Sequence, residues 1–322
     1  MRCVTEIHVG SVRLSHPIMT ASGTSGHGAE LAPYGELSSL GAVVVKSLAA
    51  VPWPGNPAPR LYPTGSGMLN AVGLQGPGVA QWVREDLPAL AAARATVVAS
   101  LWGRSVDEYE RGAESLAQAL DASEHGGSVV AVEVNLSCPN LHGHGIIAHD
   151  EELSERVVAA CAAVSRPLWA KLSPNTDRLV TVAGAVRRAG AEAVTLVNTV
   201  TGMVLDPRSG LSVLGVGGGG GLSGPPIHPV AVKAVYDVFR AWPDLPIIGV
   251  GGVRNAWDAA ELMLAGARGV QVGTATFANP RAPFEIARDL ERWARDRGVD
   301  ALGDLTGLAH RGGIHPSPPP RG

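Results

Sequence analysis

Residues 135–140 read NLSCPN: two amides, a hydroxyl, a thiol and a proline, directly after the apolar run VVAVEV. In that setting Cys138 is a small buried hydrophobe, a metal ligand, or a reactive group at the rim of a site. Two lysines raise the same question. Lys46 and Lys171 end the apolar runs VVVKS and LWAKLS, where an ammonium is costly unless it meets an anion or substrate oxygens. The bland alternative is a buried stem whose ammonium reaches water. A desolvated Lys171 also suits Schiff-base chemistry, which keeps a non-redox lyase or aldolase in view. Asn70 in MLNAVGLQGPG, Asn135, and Asn198 with Thr199 in LVNTVTG each offer hydrogen-bonding groups. Such groups satisfy the polar edge and carboxylate of a small planar ligand.

Glycines mark a second chemistry. GVGGV (249–253) and GVQVGTA (269–275) place Gly251, Gly252 and Gly273 at the ends of two consecutive strand-like runs. Without a Cβ the backbone approaches phosphate oxygens closely. GGLSGPP (220–226) adds Gly224 as a third wall. His142, His144 and His149 cluster in LHGHGIIAHD, but their spacing fits no compact zinc pattern. They read as a solvated loop, and no metal is expected.

The elements that must position these residues repeat along the chain. Strand-like runs occupy 17–22, 42–47, 96–103, 129–137, 167–173, 193–199, 246–252 and 269–275. They are continuous apolar runs, as parallel strands covered on both faces require. Amphipathic stretches such as DEYERGAESLAQALD and NAWDAAELMLAGA fit the helices between them. Eight strand–helix units predict an α/β fold, a (β/α)8 TIM barrel, with a doubly wound sheet as runner-up. The runs end in Ser22, Lys46, Ser100, Asn135, Lys171, Asn198, Gly251 and Gly273. Barrel sites form at the C-terminal strand ends, so these residues converge on one mouth. The N-terminal MRCVTEIHVGSVRLSHP reads as a β-hairpin rather than a signal peptide. The Gly/Pro-rich stretches 48–80 and 211–224 read as long loops at the mouth. Residues 1–310 form one domain, and 311–322, with HPSPPPRG, a disordered tail.

Composition excludes several classes. The formal net charge is −3 and there is no long basic run, so nothing points to nucleic acid or a membrane surface. The apolar runs fall far short of the roughly 20 residues that span a bilayer. Cys3, Cys138 and Cys161 form no CxxC and no disulfide framework, which suits a reducing cytoplasm. Three cysteines also cannot supply a four-cysteine iron–sulfur site.

In order along the chain, ASGTSGHG, KSLAAVPWPGNPAPR, MLNAVGLQGPG, VEVNLSCPN, KLSPN, VNTVTGM, GGLSGPPIHPVAVKAVYDV, IIGVGGV and VGTATFANP resemble the class 1 dihydroorotate dehydrogenases. The likeness runs from about Val4 to Leu290 and is greatest to the class 1B catalytic subunit. The resemblance implies an FMN-containing barrel that oxidises dihydroorotate to orotate in pyrimidine synthesis. By motif, FMN contacts fall on Ser22, Lys46, Ser47, Ser100, Asn135, Lys171, Val197, Gly224, Gly251, Gly252, Gly273 and Thr274. Substrate contacts fall on Lys46, Asn70, Ala71, Val72, Gly73, Leu74, Asn135, Asn198 and Thr199. Cys138 becomes the general base, and Lys171 sits near the flavin N1 region. Class 2 enzymes, which use quinones, resemble this motif with serine in place of the cysteine. The resemblance further implies a homodimer core and a partner subunit carrying FAD and an iron–sulfur cluster, with NAD as final acceptor.

Departures from the family pattern accompany the likeness. Ser100 stands where the family usually has asparagine, and Trp102 and Trp169 are bulkier than usual. The 141–150 loop differs, and the glycine run 217–221 lacks the usual polar residues. They leave open a paralogue that oxidises another dihydropyrimidine or cyclic amide.

Overall fold

The computed structural model describes residues 3–137, 139–140 and 145–314. Cys138, His142, His144 and the tail from 315 onward lie outside the described residues. The chain opens with the expected hairpin, β1 (Ile7–Val9) paired antiparallel with β2 (Val12–Leu14). The following strands are β3 (Ile18–Thr20), β4 (Val43–Val44), β5 (Leu61–Pro63), β6 (Met68–Asn70), β7 (Val97–Leu101) and β8 (Val129–Asn135). Next come β9 (Pro139–Asn140), β10 (Gly145–Ile146), β11 (Leu168–Lys171), β12 (Ala193–Leu196), β13 (Val200–Gly202), β14 (Gly220–Ser223), β15 (Ile247–Val250) and β16 (Gly269–Val272). The helices are α1 (Val79–Glu85), α2 (Leu87–Ala92), α3 (Val106–Asp121), α4 (Glu151–Ala160), α5 (Leu179–Arg188), α6 (His228–Ala241), α7 (Ala256–Ala265), α8 (Ala275–Ala278) and α9 (Ala282–Arg295).

Eight strands form one parallel sheet in the order β3-β16-β15-β12-β11-β8-β7-β4. Gly41 N–H donates to the Ile18 carbonyl at 2.7 Å and Thr20 N–H to the Ala42 carbonyl at 3.2 Å, which closes β4 back onto β3. The result is the (β/α)8 barrel expected from the eight apolar runs. Helix starts are fixed locally. Ser105, Asp150 and Asn255 cap α3, α4 and α7, each side chain accepting from the N–H three residues on. Among the described residues, no helix is long and apolar enough to cross a membrane.

The pleat divides each barrel strand between two environments. Outward residues such as Ile18, Val43, Val97, Val132 and Val270 join the layer under the helices. Inward residues Met19, Ala42, Val44, Val98, Ala131, Trp169, Ala193 and Ile248 form a second core with Ile7, Val9, Val12 and Leu14 of the hairpin. The hairpin thus plugs the N-terminal end of the barrel. Its turn is held there by Ser11, whose N–H and hydroxyl both donate to Glu192 at 2.7 Å.

At the opposite end the structure refines the sequence reading. The stretches expected as long loops contribute to a four-stranded antiparallel sheet, ordered β13-β14-β6-β5, beside the barrel mouth. Its strands are three or four residues long and only partly buried, so no long hydrophobic alternation announced them. The glycines of β14 answer to close packing. A Cβ on Gly221 would collide with the Thr199 side chain, and one on Gly220 with the Asn70 carbonyl.

Candidate active site

The C-terminal strand ends surround a cavity of about 500 Å³, within the range of small-molecule and cofactor sites. Every described residue expected at the site lines it, except Ser100. Ser100 is fully buried behind Ser47, with its hydroxyl oxygen 2.8 Å from that of Ser47. Its influence on the cavity therefore passes through Ser47.

One wall is built of glycine turns. Gly224, Gly251 and Gly252 hold φ of +89°, +143° and +68°, a region that side chains disfavour. A Cβ on Gly252 would lie 2.8 Å from the Gly224 carbonyl oxygen, and one on Gly251 2.7 Å from the Ala231 Cβ. The turns are tied from outside the cavity. His228 Nδ1 lies 2.7 Å from the Gly251 carbonyl and Nε2 3.1 Å from the Glu261 carboxylate. Thr274 donates to Ser223 at 2.8 Å, joining the last barrel strand to the small sheet.

The two lysines meet different surroundings. Lys171 Nζ lies 3.6 Å from Glu133 Oε1, and both side chains are buried. The other Glu133 oxygen accepts from Gln271 Nε2 at 2.7 Å and Thr195 Oγ1 at 3.0 Å. Lys46 forms no ion pair with a described residue. Burial, and secondarily the Arg60 guanidinium, push its ammonium below the usual lysine range. A half-buried cation that faces a cavity and has no counter-charge among the described residues suits an anion.

The amides are held in a chain. Asn135 donates to Ser47 at 3.3 Å and accepts from Asn198 at 3.1 Å. Ser47 lies 3.2 Å from the Ser22 hydroxyl, and Asn198 accepts from Thr199 N–H at 2.9 Å. From α3, the buried Tyr109 hydroxyl donates to the Asn135 carbonyl at 2.5 Å. Asn70 donates to the Gly221 carbonyl at 3.1 Å, which fixes β6 against β14. The turn 71–74 is pinned by the segment before it. Ala71 N–H donates to the Arg60 carbonyl at 2.8 Å, and Asn56 N–H to the Val72 carbonyl at 3.0 Å.

Several residues escaped the sequence reading. Asn175 donates to Ser173 and to the Thr199 carbonyl and accepts from Thr201 N–H at 2.8 Å, anchoring the loop after β12. Its signal was the asparagine of KLSPN, five letters already prominent. Glu133 and Gln271 were visible as lone polar letters inside VVAVEVN and GVQVG.

The two bulky departures prove to lie away from the cavity. Trp169 fills the plugged end of the barrel beside Ala42, Ala131 and Ala193, small neighbours that make room for it. Trp102 packs edge-on to Trp53 with centroids 5.7 Å apart, and neither ring lines the cavity. Of the departing loop, His149 lies on a 3₁₀ turn (Ile147–His149) outside the cavity lining.

Comparison with known proteins agrees with this geometry. The family model for dihydroorotate dehydrogenase matches residues 4–293. Three relatives carry the name dihydroorotate dehydrogenase B (NAD(+)), catalytic subunit. The Desulforudis audaxviator protein is 45% identical over 97% of this chain and 100% of its own. That of Trichlorobacter lovleyi is 44% identical over 95% and 99%, and that of Pelobacter propionicus 45% over 94% and 97%. A barrel whose mouth gathers the family's motifs, matched along nearly its whole length, places this chain in the dihydroorotate dehydrogenase family.

Proposed function

We propose that the protein oxidises dihydroorotate to orotate with FMN, as the catalytic subunit of an NAD-linked dihydroorotate dehydrogenase of class 1B. The observation that carries this reading is the convergence of glycine turns, two lysines, one half-buried and one buried, and a bonded amide chain on one cavity. The residues suit FMN. The glycine turns would crowd any side chain but leave room for a phosphate, and Lys46 pairs with no anion among the described residues. Ser22, Ser47, Asn135, Lys171 and Val197 would hold the ring side, and Gly224, Gly251, Gly252, Gly273 and Thr274 the phosphate side. When bound, FMN supplies the two-electron acceptor that takes a hydride from the substrate.

The chain's own residues supply alignment and proton removal. Asn70, Asn135 and Asn198 orient the substrate's polar edges, with the backbone of Ala71, Val72, Gly73 and Leu74 beside them. Thr199 closes the same side, and Lys46 meets the carboxylate. Cys138 takes the proton from the carbon adjacent to the one that gives hydride, so that the C=C bond forms. Ser137, the residue before it, lines the cavity. A thiol works as a base only once ionised, so the rate rises toward alkaline pH.

The competing readings draw less support. Lys171 faces Glu133 rather than lying free in an apolar pocket, which argues against an amine nucleophile. Trp102, Trp169 and Ser100 do not line the cavity, so these departures give no reason to prefer a different dihydropyrimidine. Exposed Leu61, Met203, Leu205, Leu211 and Val216 lie on the small sheet and its loops. They support subunit contacts at this end, whether in a homodimer core or with an FAD and iron–sulfur partner. Buried free thiols at Cys3 and Cys161 suit a cytoplasmic location.

One anaerobic experiment tests the reading. The purified protein is expected to show flavin absorbance that bleaches on titration with dihydroorotate. Cys138→Ala should bind both molecules yet bleach about 10²- to 10⁴-fold more slowly. A colourless protein would end the FMN reading, and wild-type bleaching by the variant would end the assignment of the base.

A further inference from the structure

Glu133 poses a problem that the proposed reaction does not solve. It does not line the cavity, yet its carboxylate is fully buried in the barrel interior. Glu133, Thr195 and Gln271 come from the fourth, sixth and eighth barrel strands. Alternate strands supply one interior layer of such a barrel, usually filled by branched aliphatic side chains. Here the layer is polar, and a buried carboxylate is expensive unless it is paired and bonded.

The bonds show what the layer is built to hold. Gln271 and Thr195 both donate to Oε2, at 2.7 and 3.0 Å. That leaves Oε1 facing the Lys171 ammonium at 3.6 Å, with no hydrogen-bond donor of its own among the described residues. Lys171 in turn lines the cavity. The chain of contact runs from β16 and β12 through Glu133 to Lys171, a cation beside the proposed ring site that has a counter-charge among the described residues.

We propose that Glu133 is a positioning residue that sets the reduction potential of the bound flavin. It does so by fixing the Lys171 ammonium and offsetting its charge. The proposal rests on the FMN reading above. With Glu133 ionised, the pair presents a dipole to the cavity. Without its charge, a whole positive unit remains in a low-dielectric site, where it acts strongly. A reduced, anionic ring is then favoured over the oxidised one.

Glu133→Gln keeps the volume and can still accept from Gln271 and Thr195. Its flavin potential, measured against reference dyes, is expected to rise by a tenfold change in the reduction equilibrium, about 30 mV for a two-electron couple. An unchanged or lowered potential in folded, flavin-loaded protein overturns the proposal. A second measurement does not depend on flavin. Lys171→Met and Glu133→Gln should each weaken folding at least tenfold, and the double variant should recover most of that loss. Strictly additive losses would show that the two charges do not act as a pair, and would equally overturn it. Should the wild type take up no flavin, the FMN reading itself falls, and this role with it, even where the stability cycle reveals the pair.

Discussion

Trp169 and Lys171 stand two residues apart on β11 and both point into the barrel, yet they meet opposite surroundings. Trp169 is packed among the apolar Ala42, Ala131, Ala193 and the hairpin residues, with Glu133 level with it on β8. Lys171 faces a buried carboxylate below and the cavity above. The lower half of the barrel interior is therefore a packed plug, governed by volume. The upper half is a bonded polar layer, governed by charge. Stability and chemistry are thus divided along the strand direction, as in barrels generally, and the division can be tested one residue at a time.

The largest effect is expected at the plug. Trp169→Ala removes the biggest fully buried interior ring and leaves a hole that small neighbours cannot fill. It should cost about 3–5 kcal/mol of stability, read from denaturant unfolding, while flavin per folded molecule stays constant. If flavin is lost before stability, the two halves are not separable. At the mouth the balance reverses. Lys46→Met should weaken binding of orotate about 10- to 100-fold, the range for a lost charged hydrogen bond. Its unfolding midpoint should hold or rise, because a half-buried cation with no anion among the described residues is gone.

Acid distinguishes the ends again. His16, at the plugged end, accepts from Ile18 N–H through Nδ1 at 3.0 Å, and its Nε2 lies 3.8 Å from Glu291. Burial pushes its imidazole down to about 4, against about 6.5 in an unfolded chain. Between those values the unfolded chain binds a proton that the native one refuses. Stability is full above about pH 6.5 and falls as pH drops toward 4. At pH 5 the loss is about 2 kcal/mol from His16 alone. His16→Asn keeps an acceptor for Ile18 and should flatten the fall between pH 7 and 5 by that amount. An unaltered slope would assign the loss to other groups, among them His27, which burial also pushes down to about 4.

The same division explains what could be read from the sequence. All eight barrel strands were legible because burial on both faces writes a continuous apolar run. The residues at their ends were legible because a lysine or asparagine after such a run has few bland explanations. The chain holds only three lysines, and two of them are Lys46 and Lys171. The sheet at the mouth was not legible. GGLS and LYP carry no strand pattern, because close approach of Asn70 and Thr199 dictates the glycines. Glu133 was passed over because one charge inside VVAVEVN looks like an exposed interruption. Only the register, with Glu133 beside Trp169, shows that it points inward.

Ser100 is where the smallest effect is expected, and it marks how far the polar layer extends. Its hydroxyl touches Ser47, while Ser47 also lies within reach of Ser22 and Asn135. Ser100→Ala therefore deletes one buried hydrogen bond, worth about 1 kcal/mol, and leaves Ser47 two other partners. Flavin affinity should fall less than tenfold. Ser47→Ala breaks the chain between Ser22 and Asn135 and should cost more than the Ser100 change. If fluorescence titration ranks them the other way, the serine in place of the family's asparagine acts on the ligand directly, and the boundary of the site lies one layer deeper than Ser47.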